Sequence, residues 1–286
     1  MAKAELGPAP RRGIEDARMI PLTRSLALWL CLASGVAAQG SGLVSLQTGQ
    51  ACRGWEGFGR VDIDGEGFCS GALISEDLVL TAAHCLIDKD GTLIAANRFH
   101  FLAGLRTGCA EAYRDVRRAV AHPAYILRAG RKSTEAVPFD LALLELSQPI
   151  RTSKVAPFPI SGDAGRADEL AVVSYARDRD TAPSLQDLCG VIGVQDGIVI
   201  MDCDADFGAS GAPVFEVRNG IAEVVSIISA MAKLENQPVS IGPDLADAFE
   251  DLMTHFIESA PAWSGGGQRV ITPGERTDTG AKFVQP

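Results

Sequence analysis

Three short segments of the chain supply a histidine, an aspartate and a serine that together could do acyl-transfer chemistry: His84, Asp140 and Ser210. The segments read LTAAHC from Leu80, FDLALL from Phe139 and FGASGAP from Phe207. A serine hydroxyl attacks a carbonyl only when a base takes its proton, and an imidazole with an ordinary pKa of about 6.5 can accept and return that proton. A neighbouring carboxylate holds the required tautomer and stabilises the charged imidazole. His84 is therefore the candidate base, Asp140 its partner and Ser210 the nucleophile.

Each of these residues also has a purely structural interpretation. A histidine before a cysteine can be a packing residue, and a serine in a glycine-rich turn can be only a turn residue. Asp140 could cap the apolar run that follows it, which would leave Asp115 as a substitute. The competing α/β-hydrolase motif is Gly-x-Ser-x-Gly, and Ala212 breaks it. The occurrence of all three segments in one order favours the catalytic interpretation.

Taken together, the segments resemble the trypsin/chymotrypsin-like serine proteases over roughly residues 55–235, with histidine, aspartate and serine in that family's order. The resemblance implies an endopeptidase that cleaves polypeptide substrates through an acyl-enzyme, without a cofactor or a metal. It also implies that the backbone N–H groups of Gly208 and Ser210 form the oxyanion hole. Gly208 and Gly211 suit such a turn, because a Cβ there would crowd the substrate or strain the backbone.

The residue before the candidate nucleophile departs from the digestive members of that family. Those enzymes have an aspartate there, which pairs with a new N-terminal amine after zymogen cleavage, whereas this chain has Ala209. The chain also lacks an Arg followed by Ile-Val-Gly-Gly in its N-terminal region. A buried amine without a carboxylate partner is costly, so we expect that this activation route is not used unless Asp206 is the partner. The chain resembles the bacterial glutamyl-endopeptidase and similar trypsin-like branches more than it resembles the digestive enzymes.

Three residues are candidates for substrate selection: Asp204, Ser226 and Ile228. Asp204 lies six residues before the nucleophile, as does the trypsin residue that binds Lys or Arg. The other interpretation is a run of alternating loop carboxylates that also includes Asp202 and Asp206. The run from Ser226 to Ile228 resembles the segment that lines the substrate cleft, and a β-branched Ile228 where trypsin has Gly would narrow the pocket. The preferred substrate residue stays open.

Composition and the N-terminal segment indicate an exported protein that does not bind nucleic acid. The net charge of −10 lacks the basic surplus that phosphate contacts require. The longest apolar run, Leu26–Ala38, has thirteen residues, and a membrane-spanning helix needs about 20. Arg24 before the run and small residues at its end are typical of a secretory signal peptide. We expect translation to begin at Met1 or Met19, cleavage after Ala38, and a secreted or periplasmic monomer that is not bound to a membrane.

Cysteine usage also indicates export. Beyond Cys31 in the leader, six cysteines remain, and spacing alone does not fix how they pair. The bonds we expect are Cys69–Cys85 from the family resemblance, Cys189–Cys203 because the two residues bracket an expected hairpin, and Cys52–Cys109 by elimination. No C-x-x-C or H-x-x-x-H spacing indicates a zinc site.

The elements that must position these residues read as short strands separated by turn residues. Without alternating helices, such strands favour antiparallel barrels over a parallel βαβ sheet. The expected strands are Gly57–Ile63, Cys69–Ile74, Leu78–Thr81, Phe99–Ala103, Val116–Ala121, Leu141–Leu146, Leu170–Tyr175, Leu188–Val194, Ile198–Asp202, Pro213–Val217 and Glu223–Ser229. We expect an all-β, chymotrypsin-like fold of two antiparallel six-stranded barrels and a C-terminal helix.

The proline-rich stretch Pro149–Pro159 predicts a domain boundary. Residues 39–150 would form the N-terminal barrel, which carries His84 and Asp140, and residues 151–260 the C-terminal barrel, which carries Ser210. Four apolar residues at helical spacing predict a helix over Asp244–Ile257 that packs on the second barrel: Leu245, Phe249, Leu252 and Phe256. Residues 261–286 contain few apolar side chains and are expected to be disordered.

The sequence therefore predicts an exported serine endopeptidase. One alternative is a protease-like binding protein that keeps the fold without turnover. Another is an esterase on the same scaffold. Covalent labelling by a fluorophosphonate separates the first alternative from the enzyme, and comparison of amide with ester turnover separates the second.

Overall fold

The computed structural model describes residues 42–126, 134–162, 164, 169–176, 179–205 and 208–260. The expected leader, the expected disordered tail and Asp206 lie outside these residues. The strands are β1 (Leu43–Ser45), β2 (Phe58–Ile63), β3 (Gly67–Ser75), β4 (Leu78–Thr81), β5 (Phe99–Ala103), β6 (Ala112–Ala121), β7 (Ala142–Leu146), β8 (Leu170–Ala176), β9 (Arg179–Cys189), β10 (Val191–Gln195), β11 (Ile198–Met201), β12 (Pro213–Arg218), β13 (Ile221–Ile227), β14 (Ala230–Leu234) and β15 (Gln237–Pro243). The helices are α1 (Pro123–Ile126) and α2 (Leu245–Glu258), and 3₁₀ segments cover Ala83–Leu86, Ala96–Arg98 and Thr134–Phe139. None of the described helices is long and apolar enough to cross a bilayer.

Strands β2 to β7 form a closed antiparallel barrel in the order β2-β3-β4-β7-β6-β5. Alternating burial explains how its core is filled: β5 reads Phe-His-Phe-Leu-Ala, and its buried side chains Phe99 and Phe101 alternate with the more exposed His100. The register of the barrel also prepares the candidate site. Thr81 at the end of β4 pairs with Ala142 at the start of β7, so the loops that carry His84 and Asp140 lie side by side.

Strand β1 and the described strands after residue 169 form two antiparallel sheets, with the orders β1-β9-β8-β12-β13 and β10-β11-β15-β14. Because β1 pairs with β9, residues 43–45 belong to this part of the fold and not to the N-terminal barrel in which they were expected. The expected all-β, chymotrypsin-like fold is confirmed, and closure into a barrel is registered among the described strands for β2 to β7 alone. The chain passes from the first sheet to the second at a corner at Gly190, two residues after Leu188, whose φ is +65°. The expected strand Leu188–Val194 is therefore split between β9 and β10.

Helix α2 begins and ends one residue later than expected, and it packs on a different barrel from the one expected. Asp244 caps it, because its Oδ1 accepts a hydrogen bond from the backbone N–H of Ala246 at 3.4 Å. At the other end, the Arg118 guanidinium of β6 lies 3.6 Å from the centre of the Phe256 ring and donates to the Phe256 carbonyl at 2.9 Å. These contacts join α2 to the first barrel, which corrects the expectation that it packs on the second. The buried face of α2 comprises Leu245, Ala248, Leu252 and Phe256.

Two of the three expected disulfides are present, Cys69–Cys85 and Cys189–Cys203. The third, Cys52–Cys109, is not formed, and both residues carry free thiols. Cys52 is buried and its Sγ donates to the Leu46 carbonyl at 2.9 Å, whereas Cys109 is exposed in a turn. Burial raises the pKa of the Cys52 thiol, although the nearby Arg106 opposes this effect. Pairing by elimination was therefore wrong, because it assumed that every cysteine of an exported chain is oxidised.

Candidate active site

The loop after β4 positions His84. Its backbone forms the 3₁₀ segment Ala83–Leu86, and the Cys69–Cys85 disulfide ties that segment to β3. The His84 side chain is 31% exposed, so its ring can meet a bound molecule. The sulfur atoms of Cys69 and Cys85 lie close to the ring, but they are joined to each other and offer no thiolate to a metal.

Asp140 is buried between the 3₁₀ segment Thr134–Phe139 and β7, and only 2% of its surface is exposed. Its Oδ2 lies 2.7 Å from His84 Nδ1, and its Oδ1 accepts a hydrogen bond from the His84 backbone N–H at 2.9 Å. Ser229 Oγ donates a third hydrogen bond to Oδ2. A carboxylate acceptor at this distance requires a proton on Nδ1, which leaves Nε2 of the neutral ring as the free base.

The same pairing sets the titration of His84. Its burial by itself lowers the pKa, but the negative charge and the hydrogen bond of Asp140 outweigh that effect, and the pKa of His84 is raised above its ordinary value. Tyr125 also borders Asp140, and burial followed by the Asp140 charge raises the pKa of its hydroxyl. The phenol therefore stays neutral beside the carboxylate.

The loop that carries Ser210 is docked on the barrel strands that lead to His84. The Ser70 backbone N–H donates to the Ser210 carbonyl at 2.8 Å, and Ser70 Oγ donates to the Gly208 carbonyl at 3.1 Å. Gly211 has a φ of +73°, and a Cβ on it would lie 2.4 Å from Thr81 Oγ1. This close approach requires glycine at position 211. Ser70 and Thr81 are fully buried, so they fix the two loops against each other.

Gly208 and Ser210 are the residues whose backbone N–H groups are expected to form the oxyanion hole. Gly208 has a φ of +105°, and within the described residues neither its N–H nor that of Ser210 has a hydrogen-bond acceptor. Unpaired N–H groups in adjacent turns suit a developing negative charge. No hydrogen bond joins Ser210 Oγ to His84 among the described contacts. In free enzymes that contact is often long and shortens when substrate binds.

Two of the expected substrate-binding residues lie behind the site rather than in it. Ser226 is fully buried, and its Oγ donates to the Pro243 carbonyl at 2.8 Å. Ile228 is 2% exposed, and its carbonyl accepts from the Gly211 N–H at 2.8 Å. The cleft is lined instead by Ser229 and the first residues of β14. The sequence offers two serines three residues apart, and it does not show that β13 ends between them, at Ile227.

Asp204, the third expected substrate-binding residue, has an exposed side chain. Its backbone N–H donates to Gln186 Oε1 at 2.6 Å. Asp202 is likewise exposed, and its Oδ1 accepts from the Gly190 N–H at 2.5 Å. These contacts favour the interpretation of both aspartates as carboxylates of a surface loop.

A cleft opens beside His84 between the two halves of the chain. Its lining combines His84, Asp140 and Ser229 with residues that are mainly apolar: Tyr125, Thr134, Ala136, Val137, Ala230, Met231, Ala232 and Ile241. A second cavity shares Thr134, Ala232 and Ile241 with it and continues over β11 and β15. The candidate base therefore faces a groove that extends along the second sheet.

Comparison with known proteins gives a family match over most of this region. The model described as "Trypsin-like peptidase domain" matches residues 69–222, a stretch that contains His84, Asp140 and Ser210. A modular serine protease of Drosophila melanogaster is 39% identical over 95 residues, which cover 30% of this chain and 14% of the relative. Coagulation factor IX of Oryctolagus cuniculus is 32% identical over 97 residues, or 34% of this chain and 32% of the relative. The chain thus spans less than a third of the length of either relative.

One solved structure extends the match to the fold. It is described as a Glu endopeptidase in complex with MPD, and it superposes with a TM-score of 0.62 at 17% sequence identity. The match covers 76% of this chain and 97% of that structure. At this level of identity the similarity concerns the fold alone, and the fold is that of the expected all-β class.

Proposed function

Because the chain belongs to the trypsin-like peptidase family, we propose that it is an exported serine endopeptidase that acts through Ser210, His84 and Asp140. The observation that carries the proposal is the 2.7 Å contact between His84 Nδ1 and the buried Asp140 carboxylate. A buried carboxylate without a partner lowers the free energy of unfolding by several kcal/mol. Here three donors compensate it, and two of them belong to the candidate base.

In the proposed reaction, Ser210 Oγ attacks the carbonyl carbon of the substrate while His84 Nε2 takes its proton. The oxygen of the tetrahedral intermediate receives hydrogen bonds from the backbone N–H groups of Gly208 and Ser210. His84 then gives its proton to the departing amine, which leaves an acyl group on Ser210. Water, deprotonated by His84, releases the acid and restores the serine. Asp140 holds the His84 ring in place and stabilises the imidazolium.

The surroundings of the site support activity without zymogen cleavage. Ala209 is fully buried next to the nucleophile, so position 209 offers no carboxylate to an inserted N-terminal amine. The segment after the expected cleavage point forms β1, whose residues Leu43–Ser45 pair with Ser184–Gln186 of β9. The Cys189–Cys203 disulfide also fixes the chain seven residues before Ser210. These contacts support the proposal that packing, rather than an ion pair, holds the Ser210 turn in place.

Export is part of the proposal because disulfides form and persist in oxidising compartments. Two disulfides lie on either side of the proposed machinery, one at the His84 loop and one before the Ser210 loop. The proposed signal peptide ends at Ala38, and the mature chain would act in the periplasm or outside the cell.

Hydrolysis of peptide amides by the purified mature chain tests the proposal. We expect cleavage of an unstructured protein substrate by the wild type and none above background by Ser210→Ala. The matched control is Ser153→Ala, which removes an exposed hydroxyl far along the chain from the loop and should leave the rate unchanged. A wild type that folds but cleaves neither amides nor esters would favour the binding-protein alternative. Ester cleavage without amide cleavage would favour the esterase.

A further inference from the structure

We propose that the outer edge of β10 is a docking site for an extended, positively charged segment of a separate protein partner. Strand β10 covers Val191–Gln195, and the segment would add to the sheet beside it as a further strand. The inference goes beyond the proposed catalysis and does not depend on it. It is carried by a strand edge without a described partner, by exposed aliphatic side chains on that strand and by the acidic residues that flank it.

The outer edge of β10 has no strand beside it. β10 is the terminal strand of its sheet, and its residues pair with Ile198–Met201 of β11. On the other side, Val191–Gln195 have no strand pairing and no further backbone hydrogen bond within the described part of the chain. A register shift lies between Val191 and Gly193, and the residues after it pair regularly with β11. The unpaired N–H and C=O groups of such an edge are a template for another extended chain.

The other terminal strands are covered, protected or short. At the edge of β13, the Val224 N–H donates to the Pro159 carbonyl at 2.8 Å, and the Val224 carbonyl accepts from the Ser161 N–H at 2.8 Å. β14 carries Lys233, and lysine on an edge strand opposes pairing with other chains. β1 has three residues. β10 reads Val-Ile-Gly-Val-Gln, with neither a charge nor a proline, so it lacks these protections.

The side chains of this edge are aliphatic and exposed. Ile192 is 48% exposed and Val194 is 41% exposed. They are two residues apart, which places them on the same face of the strand. Leu188, on the other side of the corner at Gly190, is 71% exposed. A segment that pairs with β10 would cover part of this apolar surface, and its removal from water favours association.

The charged residues around β10 are acidic. From Thr181 to Val217 the sequence contains no lysine or arginine. Asp202 lies at the start of β10, where its Oδ1 accepts a hydrogen bond from the Gly190 N–H at 2.5 Å, and Asp196 directly follows the end of the strand. Both aspartates are exposed, and neither forms an ion pair with a described residue. Carboxylates at both ends of an aliphatic strand complement a segment with aliphatic residues between two basic ones.

Charge and distance favour a separate partner over a second copy or a bound substrate. Two copies that met at β10 would bring their aspartates together, and each chain carries a net charge of −10. β10 and β14 are opposite edges of a four-stranded sheet, so about 14 Å separates them at the usual spacing of strands. A substrate in the cleft beside His84 therefore leaves the outer edge of β10 open.

Amide hydrogen exchange locates the site directly. The protein is Ser210→Ala, which does not consume the probe, and the probe is the peptide acetyl-Lys-Val-Thr-Val-Thr-Val-Lys-amide in large excess. Its lysines lie about 20 Å apart in an extended chain, which matches β10 with its flanking aspartates. We expect slower exchange in Val191–Gln195 and no change in Ala230–Leu234. Protection confined to Ala230–Leu234, or no protection at all, would overturn the inference.

Affinity measured by fluorescence anisotropy tests the apolar contact and the sign of the charge. A peptide with glutamate in place of both lysines should not bind. Ile192→Lys in the Ser210→Ala protein should weaken binding of the lysine peptide by about 10-fold or more, because it replaces apolar burial by repulsion. Val217→Lys changes a similarly exposed aliphatic residue on β12 and should leave the affinity unchanged. Equal binding of both peptides, or full affinity in Ile192→Lys, would contradict the inference.

Removal of the two carboxylates tests the acidic flanks separately. Asp196→Asn combined with Asp202→Asn keeps an oxygen that can accept from the Gly190 N–H and removes both charges. The double variant should bind the lysine peptide about 2–30-fold more weakly at low salt. Asp90→Asn changes an exposed aspartate in a loop that follows the first 3₁₀ segment and should bind like the unchanged protein. An unaltered affinity in the double variant would contradict the basic character of the partner.

Two measurements exclude the other occupants of this edge. The wild type should sediment as a monomer without peptide, and a dimer that Ile192→Lys dissociates would overturn the inference in favour of a second copy. An excess of the lysine peptide should leave the rate of hydrolysis of a short chromogenic peptide unchanged. Competitive inhibition would place the probe in the cleft beside His84 and overturn the inference.

Discussion

At the scale of single residues, Asp140 organises the proposed machinery. Its two oxygen atoms receive hydrogen bonds from the His84 ring, the His84 backbone and Ser229, so the ring has a fixed position and a fixed tautomer. The residue types and spacing predicted His84 and Asp140 because their chemistry is recognisable in the chain. Ser229, Ser70 and Thr81 could not be found that way, since they act through contacts between distant strands.

Substitution of the proposed nucleophile and base should show that they act as one unit. Ser210→Ala and His84→Ala are each expected to lower kcat by about 10⁴–10⁶, because either change removes the activated hydroxyl. The double variant should be hardly slower than either single one. Peptide hydrolysis by the three variants measures this, and losses that multiply would contradict the assignment.

The pH dependence of kcat/KM should report the raised pKa of His84. Only the neutral ring accepts the serine proton, so activity should fall on acidification through a pKa above the ordinary value of about 6.5. Asp140→Asn should lower kcat by about 10⁴ and move this acid limb to lower pH, because it removes the charge that raises the pKa. Rates measured from about pH 4 to 9 in both proteins test this.

The raised pKa of His84 also makes the stability of the folded protein depend on pH. Because the pKa of His84 is higher in the folded state than in the unfolded state, its pairing with Asp140 adds stability that is fully present below the unfolded pKa. That contribution is lost as the pH rises through the folded pKa.

For the pH dependence of activity, a flat profile between about pH 5 and 8, or an acid limb that stays in place in Asp140→Asn, would show that His84 is not the base.

At the scale of elements, pairing between strands brings together loops that are far apart in the sequence. The β4–β7 register aligns Thr81 with Ala142 and thereby the two loops that follow and precede them. Short β-rich runs bounded by turn residues predicted those strands, whereas β14 reads Ala-Met-Ala-Lys-Leu and β9 contains Pro183. Strand propensity does not predict strands that contain such residues. Tertiary pairing creates these strands, and β14 is the one that borders the cleft.

Two glycines with similar backbone conformations distinguish the effect of close contact between the Ser210 loop and the barrel from the effect of backbone strain. Gly211 and Gly220 have φ values of +73° and +79°, but a Cβ on Gly220 would meet nothing within 4 Å. Gly220→Ala should lower the free energy of unfolding by about 1–2 kcal/mol and keep its activity. Gly211→Ala should lose more stability and nearly all activity, because its Cβ would displace the Ser210 loop from Thr81. Urea unfolding and peptide hydrolysis measure both, and a fully active Gly211→Ala would contradict the docking described above.

The corrected cysteine pairing predicts two disulfides and two thiols. In the native protein, a thiol reagent should modify the exposed Cys109 rapidly and the buried Cys52 only after unfolding. Mass mapping without reduction should find Cys69–Cys85 and Cys189–Cys203 intact. A peptide that joins Cys52 to Cys109 would restore the pairing first expected from the sequence. The disulfides could be inferred from neighbouring motifs, but whether the remaining pair meets depends on the path of the whole chain.

At the scale of the whole molecule, both halves of the chain contribute residues to the proposed catalytic site. The first barrel holds His84 and Asp140, the second half supplies Ser210 and Ser229, and hydrogen bonds between the halves connect them. The sequence predicted the first barrel because its six strands are short β-rich runs separated by turn residues, without helices between them. It could not predict the corner that divides the second half into two sheets or the packing of α2 on the first barrel. Both depend on contacts between residues far apart in the chain.

The position of β1 leads to a prediction about activation. β1 begins at Leu43, shortly after the expected cleavage point, and is held on β9. Position 209 holds a buried alanine, so a free N-terminal amine has no carboxylate to pair with there. Mature protein with a short extension before Gln39 should therefore hydrolyse peptides without trimming. Its N-terminus is verified by mass before and after the assay, and activity that appears only after cleavage at a defined downstream site would contradict the prediction.

Covalent labelling of the active serine tests the central claim most directly. The purified mature chain is incubated with a fluorophosphonate, its intact mass is measured, and the modified residue is located by peptide mapping. We predict one adduct per chain, on Ser210, that is absent in Ser210→Ala and strongly slowed in His84→Ala. A correctly folded wild type that forms no adduct, or an adduct on another serine that survives in Ser210→Ala, would contradict the account.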